Sequence, residues 1–149
     1  MVGRPSLTLV RHIKASPTKV YAALTSPEQL ARWWRPDAGP VLKAKADVRV
    51  GGRFHIVFRT QDGAEHSSRG EYREVVPNQR LVFTWESESH REQVSIVTIA
   101  RRSIAEGTEL TLTHAAFADT AERDEHRDGW NGALDHLGTL LKPTEYPNR

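Results

Sequence analysis

The spacing of apolar positions along the chain changes period three times. The opening run LTLVRHI is extended and apolar from Leu7 to Ile13, which predicts a first strand. Ser16-Pro17 reads as a helix N-cap followed by proline at the first helical position. The helix over 17–25 then sets Val20, Tyr21 and Leu24 on one side. Ser26-Pro27-Glu28 repeats the start signal, so a second short helix carries Leu30, Trp33 and Trp34 until Pro36 and Gly39-Pro40 end it. From residue 41 the period becomes two. VLKAKADVRV is a modest strand and Gly51-Gly52 a turn. RFHIVFRT places Phe54, Ile56 and Phe58 on one face, and Asp62-Gly63 is a hairpin signal. HSSRGEYREVV returns, Pro77-Asn78 turns again, and RLVFTWES aligns Leu81, Phe83 and Trp85. EQVSIVTIARRS follows, then a turn at Glu106-Gly107, then TELTLTHAAF with Leu110, Leu112 and His114 together. The last segment is helical again. Asp119 or Thr120 caps it, and Trp130, Ala133, Leu134, Leu137 and Leu141 form a stripe at helical spacing, with His126 one turn ahead of Trp130. Gly129, Gly132 and Gly138 each weaken such a helix by about 1 kcal/mol relative to alanine, which points to close backbone packing or a bend. Lys142-Pro143 ends it, and TEYPNR is a tail.

This order predicts an α+β helix-grip fold: a curved antiparallel sheet of six to seven strands wrapped around a long C-terminal helix, with two short helices after the first strand. The chain forms a single domain with its core over about 7–142 and a tail over 143–149, with no internal repeat. A sheet curved around one helix leaves a space where a ligand can sit.

Composition narrows the function classes. The 149 residues are 38% hydrophobic and 27% charged, the balance of one ordinary globular domain. Cysteine is absent, so thiolate metal sites, cysteine nucleophiles and disulfides are excluded, and a reducing, cytoplasmic home fits. No run of about 18 apolar residues predicts a membrane span, and MVGRPSLTLV has no cleavable signal pattern. The net charge of +2 raises the question of nucleic acid. The charges answer it, because acids and arginines alternate and the densest basic spots, Arg101–Arg102 and Arg32/Arg35, are only pairs.

Five segments in this order resemble the SRPBCC superfamily, the START and pollen-allergen helix-grip group. They are VRHIKASPTKVYAALTSPEQLARWW, GGRFHIVFR with its DG turn, RGEYREVVPNQRLVFTW, TELTLTHAAF and HRDGWNGALDHLGTLL. More closely they resemble the branch named for the C-terminal domain of the activator of heat-shock-protein-90 ATPase. The resemblance implies a deep, mostly apolar cavity between sheet and long helix. It covers lipid and hydrophobic-ligand carriers, cyclases and aromatases, co-chaperone domains and many uncharacterised bacterial proteins, and brings no universal catalytic residue. The chain starts directly on the grip strand, so the separate N-terminal domain of the eukaryotic co-chaperone is not expected.

Candidate ligand-binding residues follow from the inward faces: Trp33, Trp34, Phe54, Ile56, Phe58, Tyr72, Phe83, Trp85, His114, Trp130 and Leu134. Large aromatics mostly fill cores, so only a subset is expected to face open space. Neighbours on a helix point about 100° apart. Trp33 and Trp34 are therefore expected to divide their roles, one lining the core and the other forming a partly exposed lid. His114 reads first as a hydrogen-bonded core residue. His126 and His136 stand ten positions apart, on different sides of a helix, and no zinc spacing occurs. Tyr72 and Glu74 share a strand face under strict alternation; Glu74 is expected to pair with Arg80, and otherwise is a candidate general base. No catalytic residue, metal or cofactor is assigned. The expected partner is a small hydrophobic or aromatic molecule held by a monomer or homodimer, with no nucleic acid and no membrane span. A cavity enzyme using Glu74, Tyr72 or His114, and a co-chaperone-like interaction domain presenting Trp34, are the alternatives.

Overall fold

The turn signals in the sequence set the topology, since each short turn returns the chain beside the strand it has just left. The computed structural model describes residues 4–87 and 94–142. The tail over 143–149 and the start of EQVSIVTIARRS at 92–93 lie outside the described residues. β1 (Leu7–Ile13) is followed by α1 (Pro17–Thr25) and α2 (Pro27–Trp33). Then come β2 (Val41–Ala46), β3 (Arg53–Arg59), β4 (Glu65–Val76), β5 (Arg80–Ser87), β6 (Ser95–Ile104) and β7 (Gly107–Ala115), and last α3 (Thr120–Leu140). The seven strands form one antiparallel sheet in the order β1-β7-β6-β5-β4-β3-β2. Only β1 breaks the meander; it lies against β7, and α1 and α2 carry the chain from it to the far edge.

The starts of α1 and α3 are built as the sequence predicts, whereas Ser26 precedes Pro27 at the start of α2 without a side-chain cap bond. Ser16 accepts a hydrogen bond from the Lys19 N–H at 3.3 Å, with Pro17 opening α1. Asp119 accepts from the Glu122 N–H at 2.8 Å, while Glu122 accepts from the Ala118 N–H at 3.4 Å, a reciprocal arrangement close to a capping box. The inward positions of the strands and the stripe Trp130, Ala133, Leu134 and Leu137 of α3 make one buried core. Each large apolar side chain taken fully from water there contributes about 1.5–3 kcal/mol.

Three local expectations are corrected. β2 stops at Ala46: the Asp47 N–H still reaches the Arg53 carbonyl at 3.0 Å, but the Arg49 N–H turns back to the Asp47 carbonyl at 3.0 Å and the chain leaves the ladder. In β4 a bulge between Tyr72 and Glu74 shifts the register, so that Tyr72 faces Phe83 but Val75 faces Leu81. The extra residue reverses the alternation and turns Glu74 to the outer face, where it meets Arg80 at 3.5 Å. Of the three glycines in α3, only Gly132 is required by packing: a Cβ there would lie 2.0 Å from the Pro36 carbonyl oxygen. A Cβ at Gly138 would meet nothing within 4 Å.

Gly132 therefore lets the loop after α2 lie directly on α3. His136 Nε2 bonds the Asp37 carbonyl at 3.0 Å and fixes the same loop from one turn further on. At the other flank of α3, Arg11 of β1 donates to Asp135 at 2.5 Å and Asn131 at 2.6 Å. The long helix is thus tied to β1 on one side and to the α2–β2 loop on the other.

Candidate functional site

Both tryptophans of the pair turn inward, which overturns the expected core-and-lid division. Trp33 is fully buried, and its Nε1–H donates to the Ala23 carbonyl at 2.8 Å, pinning α2 to α1. Trp34 is 6% exposed. It is the C-cap of α2, with φ −77° and ψ 67°, so the backbone has left the helix and the 100° rule does not place its side chain. Its ring lies 5.3 Å from Trp33, stacks on Trp85 (5.7 Å, 17°) and meets Trp130 edge-on (5.4 Å, 68°).

Trp34, Trp85 and Trp130 form the floor of an open cleft of about 870 Å³, bounded by the α2–β2 loop, the β3–β4 hairpin, β5 and the first half of α3. Known small-molecule sites occupy about 300–1,000 Å³, so the space suffices for a small ligand. Phe58, stacked on His66 at 5.3 Å, forms one wall. Arg35, Pro36 and Asp37 come from the loop, Thr60, Gln61 and Asp62 from the hairpin tip, and Ser67 and Ser68 from β4. Glu125, His126, Asp128 and Gly129 line the helix side.

Behind the floor, polar groups hold the indoles in place. Trp130 Nε1–H donates to His114 Nδ1 at 3.0 Å, which puts the imidazole proton on Nε2. That nitrogen then donates to Ser95 Oγ at 2.7 Å, and Ser95 in turn donates to the Trp85 carbonyl at 3.4 Å. Burial, and secondarily the neighbouring His126, pushes the His114 pKa down to about 2, so its ring is neutral and serves as a fixed acceptor. Phe117 closes over His114 at 4.2 Å, carried there by Ala116 in the left-handed region at φ 70°. His126 Nδ1 bonds the Glu122 carbonyl at 2.8 Å and is therefore an N–H donor, leaving Nε2 as an acceptor in the neutral ring. The Trp85 indole N–H is buried and has no acceptor among the described residues.

Of the residues expected to bind a ligand, the structure brings Trp34, Phe58, Trp85 and Trp130 to the cleft. Trp33, Phe54, Ile56, Tyr72, Phe83, His114 and Leu134 do not line it; they fill the space between sheet and helix. Edge-on packing of Phe54 on Phe83 (5.2 Å, 78°) occupies much of that interior. It is possible because Gly70 leaves room: a Cβ there would lie 2.7 Å from the Phe54 ring and 1.8 Å from the Thr84 carbonyl oxygen. The open space that the described residues line is a cleft at one end of the grip. Tyr72, Glu74 and His114 do not converge. Burial pushes the Tyr72 phenol above its ordinary range, Glu74 is paired with Arg80 outside, and His114 is enclosed. The polar rim, Asp37, Asp62, Glu125 and Asp128, was missed. Its members sit in loops or on a helix face whose charges read as solvated, and only the packing of loop on helix brings them to one mouth.

The fold sets the chain among known proteins. The model of the family described as Activator of Hsp90 ATPase homolog 1-like protein matches residues 14–142. A protein of Chromobacterium violaceum is similar in structure with a TM-score of 0.82 and 28% identity, over 93% of this chain and 99% of that one. The AHSA1 protein of Silicibacter pomeroyi gives 0.81 and 25%, over 92% and 97%. A protein of Nitrosomonas europaea gives 0.78 and 26%, over 92% and 94%. No curated protein matches the chain in sequence.

Proposed function

We propose that this chain, which belongs to the Activator of Hsp90 ATPase homolog 1-like family, is a small-molecule-binding domain that receives a flat apolar or aromatic molecule in the end cleft. The observation that carries this reading is the floor of three indoles, Trp34, Trp85 and Trp130, beneath a space of about 870 Å³. Large rigid rings contribute apolar contact with little side-chain entropy to lose on binding. The Trp130–His114–Ser95 chain holds that surface preformed, which lowers the cost of ordering it around a ligand.

Two other readings receive less support. An enzyme reading built on Tyr72, Glu74 and His114 loses its basis, because none of the three lines the cleft. An interaction surface built on the tryptophan pair would need an exposed indole, and both are buried.

The test is a calorimetric titration with quinoline, a neutral flat aromatic, against the protein and a Phe58→Ser variant. Phe58 is only half-buried, so its loss alters the cleft wall more than the core. Saturable binding that weakens about tenfold or more in the variant is expected from the lost apolar contact of one aromatic wall. Absence of binding, or binding indifferent to Phe58, overturns the reading.

A further inference from the structure

The mouth of the cleft carries a charge opposite to that of the chain. The whole protein has a formal net charge of +2. The described residues lining the cleft include four carboxylates, Asp37, Asp62, Glu125 and Asp128, against one guanidinium, Arg35. The carboxylates differ in how they are held. Asp37 accepts from the backbone N–H groups of Gly39 (2.8 Å) and Gln61 (3.0 Å). Asp62 accepts from the Thr60 hydroxyl (2.5 Å) and the Ala64 N–H (3.0 Å). These bonds fix two negative charges in place without neutralising them. Glu125 and Asp128 have no ion-pair partner among the described residues, although Asp124 beside them takes both Arg123 and Arg127.

Two further observations turn an acidic rim into a ligand site. The first lies in the floor. Trp85 is 8% exposed, and its indole N–H is buried with no acceptor among the described residues. A buried donor left unpaired costs about as much as a lost hydrogen bond, and such a group calls for an unseen acceptor. The second is the spread of the acids. Among the described residues no group of three His, Cys, Asp or Glu is placed to hold a metal ion. The four acids come from three segments, the α2–β2 loop, the β3–β4 hairpin tip and α3, so their charge is spread around the mouth, which suits a large cation with delocalised charge.

We infer that the cleft takes an organic cation with a flat aromatic body, a cationic heteroaromatic or aromatic amine, seated on the indole floor with its charge among Asp37, Asp62, Glu125 and Asp128. This deepens the binding reading above and rests on it. The body of such a ligand supplies the apolar contact and the carboxylates select its charge, while Trp85 keeps an unpaired N–H donor in the floor beneath it. A field of three net negative charges around the mouth, partly screened by water and salt, favours a cation over an anion of the same shape by about tenfold or more.

Three probes of one size read this directly by calorimetry at low salt: N-methylquinolinium, quinoline at a pH where it is neutral, and naphthalene-2-carboxylate. The cation is expected to bind about tenfold more tightly than the carboxylate, with quinoline between them, and the ratio is expected to shrink toward unity in 1 M salt, where the screening length is about 3 Å. In a Glu125→Gln/Asp128→Asn double variant, both positions being exposed on α3, the ratio of cation to carboxylate affinity falls at least threefold. Equal affinity for all three probes, or a preference that survives the double variant, overturns this inference and leaves the binding reading intact. Failure of all three to bind overturns the binding reading itself.

Discussion

Arg101 lies under α1 at one end of the grip, and Trp85 lies in the cleft floor at the other. Both are inward residues of neighbouring strands, and both bury an N–H with no acceptor among the described residues, Nε in Arg101 and Nε1 in Trp85. Their surroundings differ. Arg101 spends its remaining nitrogens on the Ile99 and Val76 carbonyls at 3.3 and 3.4 Å and lies 5.3 Å above the Tyr21 ring. Burial pushes its pKa down to about 10, with Tyr21 partly opposing. A surface depression of about 660 Å³ adjoins it, but the Arg80 and Arg102 charges there are already paired with Glu74 and Glu109. Trp85 faces a cleft whose acids lack such partners. An unpaired donor under α1 is thus a cost of closing that end of the grip, whereas the same deficit at the cleft end is one a ligand can remove.

That contrast breaks most visibly at Arg101. If its role is to fill volume, Arg101→Ala destabilises by about 3 kcal/mol through the space it leaves, while Arg101→Met, which keeps the length and removes the buried charge, changes stability by less than about 1 kcal/mol in either direction. Urea unfolding measures both. A methionine variant as weak as the alanine one would show that the guanidinium's bonds to the carbonyls, and not its bulk, close this end.

The two halves of α3 offer the next test. Gly132→Ala drives a Cβ into the Pro36 carbonyl and pushes the Trp34 loop off the helix, costing about 2 kcal/mol net of the gain in helix propensity. Gly138→Ala has open space and is expected to stabilise by about 1 kcal/mol. Opposite shifts in thermal midpoint are the expected result; shifts of one sign would mean that the cleft loop does not depend on its contact with α3.

The cleft end is also where acid acts. His114 has a folded pKa of about 2, well below the ordinary value of 6.5 that it regains on unfolding. Between these values the unfolded chain binds a proton that the folded chain refuses, so stability falls as pH falls through that window, by about 1.4 kcal/mol per pH unit. From pH 6.5 to 5 the loss attributable to His114 is about 2 kcal/mol. A His114→Gln variant, whatever its own stability, should show a pH slope shallower by about one proton; an unchanged slope would place the titration elsewhere.

How far the sequence reaches differs between the two ends. The bounds of β1 and α1, the turn at Asp62-Gly63 and the Asp119 cap were legible because each depends on neighbours within a few positions. The burial of Arg101 was legible in principle: alternation puts 95, 97, 99 and 101 on one face, and only the charge argued against it. The cleft was less so. Trp34 enters the floor through a cap conformation that no periodicity describes, and Glu74 leaves the inner face through a bulge. Phe117 reaches His114 only because Ala116 adopts a positive φ, which alanine seldom does. Such irregular backbone turns alternating patterns into a site, and period-based reading cannot see it.

The smallest effect separates the two indoles of the floor. Trp130 uses its N–H on His114, and Trp85 uses its own on nothing within the described residues. Replacing each by phenylalanine removes similar ring volume. Trp130→Phe also strands the buried Nδ1 of His114, whereas Trp85→Phe removes a donor that was already unpaired, so Trp85→Phe is expected to be the milder by about 1 kcal/mol in urea unfolding. Binding should be ordered differently. If a ligand acceptor meets the Trp85 N–H, Trp85→Phe weakens binding several-fold despite its small stability cost, a separation that a purely structural role would not produce. Equal destabilisation by the two variants would mean that the Trp85 N–H already has an acceptor in solution, and the contrast between the ends would reduce to their difference in shape.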